Sequence, residues 1–466
     1  MRIYNTATRR KDEFLPLDGK TVRLYTCGLT VQDYCHIGHA RVDVFWDCAK
    51  RWLRHLGFQT YHVSNFTDIN EKIAARALEA GIDPMDYAEQ FITAYQEDAQ
   101  ALGIVGADVY ARASQEMPAI IALIEELVAT GHAYLSQGNV YYRVKNYADY
   151  GKLSGRRTEE LQEGSRQVIS DGKENPEDFA LWTVAQAGEP EWESPWGVGT
   201  PGWHIECSAM SMHYLGHQYD LHGGGIDILF PHHENEAAQS CACGYGYARF
   251  WVHNGLVNSP DGSKMSKSMN NFFRVRDILQ QYPAGVLHFY LHSTHYRSPV
   301  SFGVQLMDEA QQSLQRLQRM YASLEQAIQD NYPANERFDT LLQEATERFA
   351  ASMNDDFNTS AAVAVLFELS RDVNTAMQEH KLSPEQAGRA RETYHFWMGI
   401  LGCADMLVTE TTEPEQLDAD IIALVDERQQ ARASKNWVRA DEIRTQLDSM
   451  GIVLMDTPEG QTWKRK

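Results

Sequence analysis

Apolar and polar positions along this chain change period several times, and those changes divide it into segments. Val22 to Tyr25 and Thr60 to Val63 read as short buried strands. Between them Val42, Phe45, Trp46, Ala49, Leu53 and Leu56 recur at helical spacing and stop at Gly57. Strand, helix and strand in this order predict the β-α-β unit that opens a doubly wound nucleotide-binding sheet. Further helix is predicted over Asp86 to Leu102 and Pro118 to Ala129. Tyr134 to Val144 reads as a hairpin around Gly138. From Gly151 to Thr200 the chain is rich in Gly, Pro, Glu and Trp with little period. The sheet is expected to resume at Trp203 to Ser208, Tyr219 to His222 and Phe250 to Val257.

After Phe302 the pattern is almost purely helical. Leu306, Leu314 and Leu317 begin one helix, Asn358 or Thr359 caps another, and a third runs from about Pro384 to Leu401. Thr409 to Glu415 reads as an acidic linker. Two helices, Ala419 to Ser434 and Trp437 to Met450, then lead into a short β tail. The fold expected is α/β: a doubly wound, Rossmann-type catalytic domain in two halves, residues 1–129 and 201–302, interrupted by an insertion at 130–200. An α-helical bundle at 303–405 and a small C-terminal α/β domain at 416–466 follow.

Composition narrows the class. The chain has 466 residues, 43% of them hydrophobic, which suits a globular protein of several domains. No apolar run approaches the length needed to span a bilayer. The N-terminal segment lacks the apolar core of a secretory signal. Seven cysteines, with no C-x-x-C pair, suit free thiols and a metal in a reducing cytoplasm rather than a disulfide framework. The net charge of −22 opposes phosphate binding by the whole surface. Local charge decides that question, however. Arg428, Arg432, Lys435 and Arg439 precede a basic end, Lys464-Arg465-Lys466, and leave a nucleic-acid partner open.

Two short strings carry candidate chemistry. His36-Ile37-Gly38-His39 follows the first strand at the mouth of a helix, and Lys264-Met265-Ser266-Lys267-Ser268 forms a short polar loop. A helix N-terminus favours anions, Gly38 admits a ligand close to the backbone, and imidazoles and ammonium groups can stabilise developing charge. Alone, the first string also fits a metal site or a solvated loop, and the second an exposed basic loop. Together, in this order, they resemble the class I aminoacyl-tRNA synthetases. A further pair, His232 and Glu236 in Phe230-Pro-His-His-Glu-Asn-Glu236, is spaced to share one helical face, with Pro231 placed to open the helix. By itself the pair also fits a plain surface helix.

Longer strings resemble the cysteinyl-tRNA synthetases specifically. These are Tyr25-Thr-Cys-Gly28, Pro201-Gly-Trp-His-Ile-Glu-Cys-Ser-Ala-Met210, His222-Gly-Gly-Gly225, Tyr150-Gly-Lys-Leu-Ser-Gly155 and Asp355-Asp-Phe-Asn-Thr359. The resemblance implies a zinc ion held by Cys27, Cys207, His232 and Glu236 on the floor of an amino-acid pocket. It implies that His36, His39, Lys264 and Lys267 act on ATP, with Gly38, Ser266 and Ser268 beside them and Mg2+ on the phosphates. Gly28, Thr67, Trp203, His222 and Asp227 are expected around the cysteine and the ribose. Arg428, Trp437 and Arg439 are candidate tRNA contacts. Cys35, Cys48, Cys241, Cys243 and Cys403 receive no role. The implied activity joins L-cysteine to tRNA(Cys) through cysteinyl-adenylate, in a monomeric cytoplasmic enzyme.

Some positions depart from the family pattern. Met269-Asn270, Thr200, Leu29, Gln32, Asn70 and Ile226 replace commoner residues, none of them a proposed ligand, and point to a divergent member. Two other readings stay open: a relative that passes cysteine to an amino sugar, and a non-catalytic paralogue that binds RNA or senses cysteine.

Overall fold

The computed structural model describes residues 1–156, 172–186, 188–259 and 273–407, and, near the C-terminus, 424–425, 427–428, 431, 436–449, 452–457 and 460–465. The chain divides into two compact units, Met1–Leu407 and Val408–Lys466.

The first unit is built on a parallel sheet. Its strands are β1 (Thr21–Thr30), β2 (Gln59–Thr67), β3 (Val109–Arg112), β4 (Gln218–Gly225) and β5 (Tyr247–Asn254), in spatial order β5-β4-β1-β2-β3. Helix α1 (Ile37–His55) joins β1 to β2. The strand order reverses between β1 and β4, and in open parallel sheets the crevice beyond such a switch point is where ligands bind. α1 buries Val44, Phe45, Trp46, Ala49, Trp52 and Leu53, so its apolar stripe accounts for its docking. Gly223 on β4 lets Trp46 lie close, since a Cβ there would stand 2.3 Å from the indole.

The insertion is an antiparallel ladder of Ala133–Ser136, Asn139–Tyr142, Phe179–Thr183 and Thr200–Pro201. Gln137 and Gly138 both have positive φ, the two-residue turn that matches strand twist. One expectation is overturned. Trp203 to Ser208 is not a strand but the start of helix α2 (Trp203–Leu215). Residues 205–211 are all buried, polar Glu206, Ser208 and Ser211 included, so the alternation of apolar and polar residues there does not report a helical face. Pro231 stands where expected: Phe230 is extended (φ −132°, ψ 131°), and the helical run that starts after it passes through His233 into α3 (Glu234–Ala242).

Four of the further helices in this unit form a bundle: α4 (Val304–Gln329), α5 (Phe338–Asn354), α6 (Thr359–Gln378) and α7 (Pro384–Ile400). The Asn358 side chain caps α6 by accepting from Ala361 N (3.1 Å), and Ser383 with Gln386 forms a capping box on α7. The bundle shares one core with the sheet. Trp52 of α1 meets Phe349, which stacks on Trp397 at 4.7 Å. In the second unit, helix Trp437–Ser449 and the antiparallel pair Ile452–Thr457 and Gly460–Arg465 accompany a small core of Val425, Ile443, Leu447 and Ile452. Of the helix expected at 419–434, the described residues 424–425, 427–428 and 431 are helical; the Thr409 to Glu415 linker lies outside the described residues.

Candidate functional site

The carboxyl ends of β1 and β4 and the N-terminus of α1 meet at one cavity of about 460 Å³, lined by Cys27, Gly28, His36, Gly38, His39, Trp203 and Asp227 among others. β1 shifts register between Thr26 and Leu29, which turns Cys27 and Gly28 out of the ladder. Gly28 N donates to Asn65 Oδ1 at 3.0 Å, and Tyr25 donates to the same oxygen at 3.1 Å. A Cβ on Gly28 would stand 1.8 Å from the Asn65 carbonyl oxygen, so only glycine fits.

His36 is the N-cap of α1. Its Nδ1 accepts from Gly38 N (3.0 Å), while His39 Nδ1 accepts from His36 N (3.3 Å), and the two rings stack at 3.7 Å. Both imidazoles therefore sit at the positive end of the helix. Burial holds His36 down to about 4, and burial with the neighbouring ring holds His39 well below the usual range. Both are neutral at pH 7 before any anion arrives. Lys264, Ser266, Lys267 and Ser268 lie outside the described residues, as does Met269-Asn270. Val257, Asn258 and Phe273, described to either side, line the cavity.

Cys27, Cys207, His232 and Glu236 come together although they are scattered in sequence. One ligand atom from each lies within 4.8 Å of all the others. Cys27 Sγ is 3.5 Å from His232 Nε2 and 3.3 Å from Glu236 Oε1, and His232 Nε2 is 3.1 Å from Glu236 Oε1. The outer contacts fix the donors. His204 Nδ1 meets His232 Nδ1 at 2.9 Å, and Tyr247 donates to Glu236 Oε2 at 2.7 Å. Trp203, 39% exposed, stacks on His232 at 4.3 Å. Burial pushes the thiols of Cys27 and Cys207 up, Glu236 up to about 8, and His232 well down. Two thiols and a carboxyl that resist ionising alone, beside an imidazole kept neutral, are suited to a divalent cation, which supplies the missing positive charge.

The other expected residues are distributed unevenly. Asp227 and Gly28 line the cavity; Thr67 and His222 are buried behind it. Thr67 Oγ1 accepts from Asn65 Nδ2 at 3.3 Å, and so supports the Gly28 anchor. His222 Nε2 is 3.4 Å from Cys27 Sγ. In the second unit Trp437 is exposed, Arg428 is buried, and Arg439 pairs with Glu427 and Glu442. Cys241 and Cys243 take no part in a cluster of metal donors among the described residues. Asn65 and Tyr247 carry no sequence signal of their own, and His204 and His233 have only their nearness to Cys207 and His232.

A model of the class I (C) tRNA synthetase catalytic domain matches residues 13–312, a DALR domain model matches 348–405, and a cysteinyl-tRNA ligase anticodon binding domain model matches 415–463. The chain belongs to the cysteinyl-tRNA ligase family. Among similar members, a cysteine–tRNA ligase of Symbiobacterium thermophilum is 46% identical over all of this chain and 99% of its own length. That of Carboxydothermus hydrogenoformans is 44% identical over the whole of both chains. A Mycobacterium tuberculosis methionyl-tRNA synthetase structure in complex with methionyl-adenylate shares the fold at a TM-score of 0.62 and 16% identity, covering 83% of this chain and 91% of that one. This member of the cysteinyl-tRNA ligase family thus has the class I parallel sheet with its cavity at the switch point.

Proposed function

We propose that this chain activates L-cysteine with ATP and transfers it to tRNA(Cys), using the cavity at the β1–β4 switch point. One observation carries the residue assignment: the four-donor cluster opens through Cys27 onto the same cavity that the imidazoles of His36 and His39 border. In this reading the substrate carboxylate attacks the α-phosphate in line and pyrophosphate leaves. The positive end of the α1 dipole faces the phosphates. His36 and His39 are held in place by their reciprocal cap, so they donate to phosphate oxygens without reorganising. Lys264 and Lys267 add positive charge to the leaving pyrophosphate, Lys267 with the largest effect. Mg2+ arrives with ATP, held mainly by phosphate oxygens.

Two thiolates, one imidazole and one carboxylate match zinc in softness and number. Bound there, the ion would supply a Lewis acid that takes a thiolate and discriminates against a hydroxyl. Cys27, Cys207, His232 and Glu236 hold it; Trp203 covers the His232 ring. Asp227 and Gly28 position the remainder of the substrates. The insertion at 130–200 serves the acceptor end and the unit at 416–466 the anticodon, with Trp437 its exposed aromatic. No helix among the described residues is long and apolar enough to cross a membrane, and the reading takes the enzyme as a cytoplasmic monomer.

The test is cysteine-dependent ATP–pyrophosphate exchange with zinc content read from the same sample, followed by cysteine transfer to tRNA and to an amino-sugar acceptor. Exchange with about one zinc per chain and transfer to tRNA alone is expected. Exchange without tRNA transfer refutes the acceptor, and bound zinc without exchange refutes the catalytic reading.

A further inference from the structure

A second set of donors overlaps the first. Cys27, His222, His233 and Glu236 also bring one ligand atom each within 4.8 Å of all the others. Two of these residues belong to the outer cluster and two do not. His222 Nε2 is 3.4 Å from Cys27 Sγ and 3.6 Å from Glu236 Oε2.

Both additional imidazoles are held by their far nitrogens. His222 Nδ1 pairs with the Tyr219 hydroxyl at 2.7 Å, and His233 Nδ1 pairs with His253 Nε2 at 2.8 Å. His253 Nδ1 in turn meets Thr6 Oγ1 at 2.8 Å. Pinning one ring nitrogen leaves the other aimed, which is how metal-ligating histidines are oriented. With Nδ1 committed, Nε2 is the nitrogen His233 has left. It is buried and has no hydrogen-bond partner, on a ring wholly shielded from solvent. Gly224 seats that ring: a Cβ there would stand 2.8 Å from His233 Cε1. A buried ring nitrogen without a partner calls for one, and a cation supplies it when the lone pair faces inward. The Thr6–His253–His233 relay permits that tautomer, because His233 Nδ1–H can donate to His253 Nε2 while His253 Nδ1–H donates to Thr6.

We propose that Cys27, His222, His233 and Glu236 form a second, inner position for a divalent transition-metal ion. It shares Cys27 and Glu236 with the outer position, so one ion occupies one position at a time. One thiolate, two imidazoles and one carboxylate suit zinc or cobalt. Cys27 is the one donor of either set that lines the substrate cavity, so both positions meet that cavity through the same thiol. This inference rests on the outer cluster being a metal site.

The experiment loads the metal-free full chain with Co(II) and reads two quantities: metal per chain, and thiolate-to-metal charge-transfer absorption, which counts coordinating cysteines. Cys207→Ala and His232→Ala each remove a ligand that only the outer position uses. Each is made alone and with His233→Gln, and thermal midpoints verify folding. The wild-type chain is expected to hold one Co(II) with two-thiolate absorption, and His233→Gln alone to keep it. Cys207→Ala should still hold one Co(II), with roughly half the absorption. Adding His233→Gln should weaken that binding more than about 100-fold, beyond the 10–100-fold that loss of an outer-shell partner causes. His232→Ala should show the same dependence on His233, and stands in if Cys207→Ala does not fold. Equal binding with and without His233→Gln, an equal weakening in the wild-type background, or no Co(II) in folded outer-ligand variants overturns the inner position. A wild-type chain that binds Co(II) without thiolate absorption instead overturns the outer site, and the inner one with it.

Discussion

Arg41 is the residue whose loss tests the architecture of the site most directly. It lies in the second turn of α1, 3% exposed, on the helix whose first turn carries His36 and His39. Its guanidinium donates to the carbonyl oxygens of Leu256 (3.0 Å), His295 (3.2 Å) and Tyr296 (3.2 Å), and also to that of Ser298. Leu256 lines the substrate cavity, so Arg41 ties the catalytic helix to the opposite wall. Arg41→Met keeps most of the stem and removes every donor. Nη2 has two hydrogens for three of these oxygens, so three hydrogen bonds to the charged group form at a time, and at about 2 kcal/mol each they sum to about 6 kcal/mol. Against this stands the cost of burying the cation, visible in a pKa held down from 12.5 to about 10 by burial. At about 1.4 kcal/mol per pKa unit that cost is roughly 3 kcal/mol, leaving a net loss of about 3 kcal/mol. For the Met1–Leu407 unit, an unfolding entropy of roughly 2.1 cal/mol/K per residue amounts to about 0.85 kcal/mol/K. The expected fall in calorimetric Tm is therefore about 3–4 °C, with KM for ATP in pyrophosphate exchange raised several-fold. Arg41→Lys, which keeps a charge but not the fork, should fall between. A Tm within about 1 °C of wild type, together with an unchanged KM, would refute the reasoning.

Three other expectations follow from the same geometry. If a metal selects the thiol, serine should be activated with a kcat/KM at least about 10⁴-fold below that of cysteine, since an apolar pocket separates such close analogues by only about 10–200-fold; comparable values rule out metal-based selection. Asp43, one helical turn beyond His39, is pushed up to about 7 by burial, and its Oδ2 has no partner. Its folded-state pKa exceeds the unfolded value, so stability falls as pH rises from about 4 to 7; Asp43→Asn should gain about 1–3 kcal/mol at pH 8 and far less at pH 5, and an equal gain at both sinks the idea. His36, held down to about 4 by burial, should titrate near that value in imidazole NMR of the free protein. Because the unfolded chain binds the proton first, its contribution is lost as pH falls from about 6.5 toward 4; an NMR midpoint above 6 contradicts the burial argument.

What the sequence discloses depends on whether a contact is local. The opening β-α-β unit is legible because α1 keeps one apolar face and stops at Gly57, where φ is +90°. α2 is illegible because its central two turns, 205–211, are buried all round, polar residues included, so the period has nothing to contrast with. The capping pair His36 and His39 lies within one turn, so its placement at a helix mouth can be read directly. Of the metal donors, only His232 and Glu236 are local. Cys27 joins them from the bulge of β1 and Cys207 from α2, through a strand order that no spacing encodes. Resemblance reaches those cysteines; periodicity does not. His233 marks the further limit. Adjacent to His232 in sequence, it faces Gly224 and His253, and only the parallel pairing of β4 with β5, which sets Gly224 opposite His253, explains why. The same register that closes the sheet therefore determines whether a second imidazole can reach the ion. A substitution that shifts β4 against β5 should then disturb the metal before it disturbs the nucleotide end of the cavity, where α1 supplies its own cap.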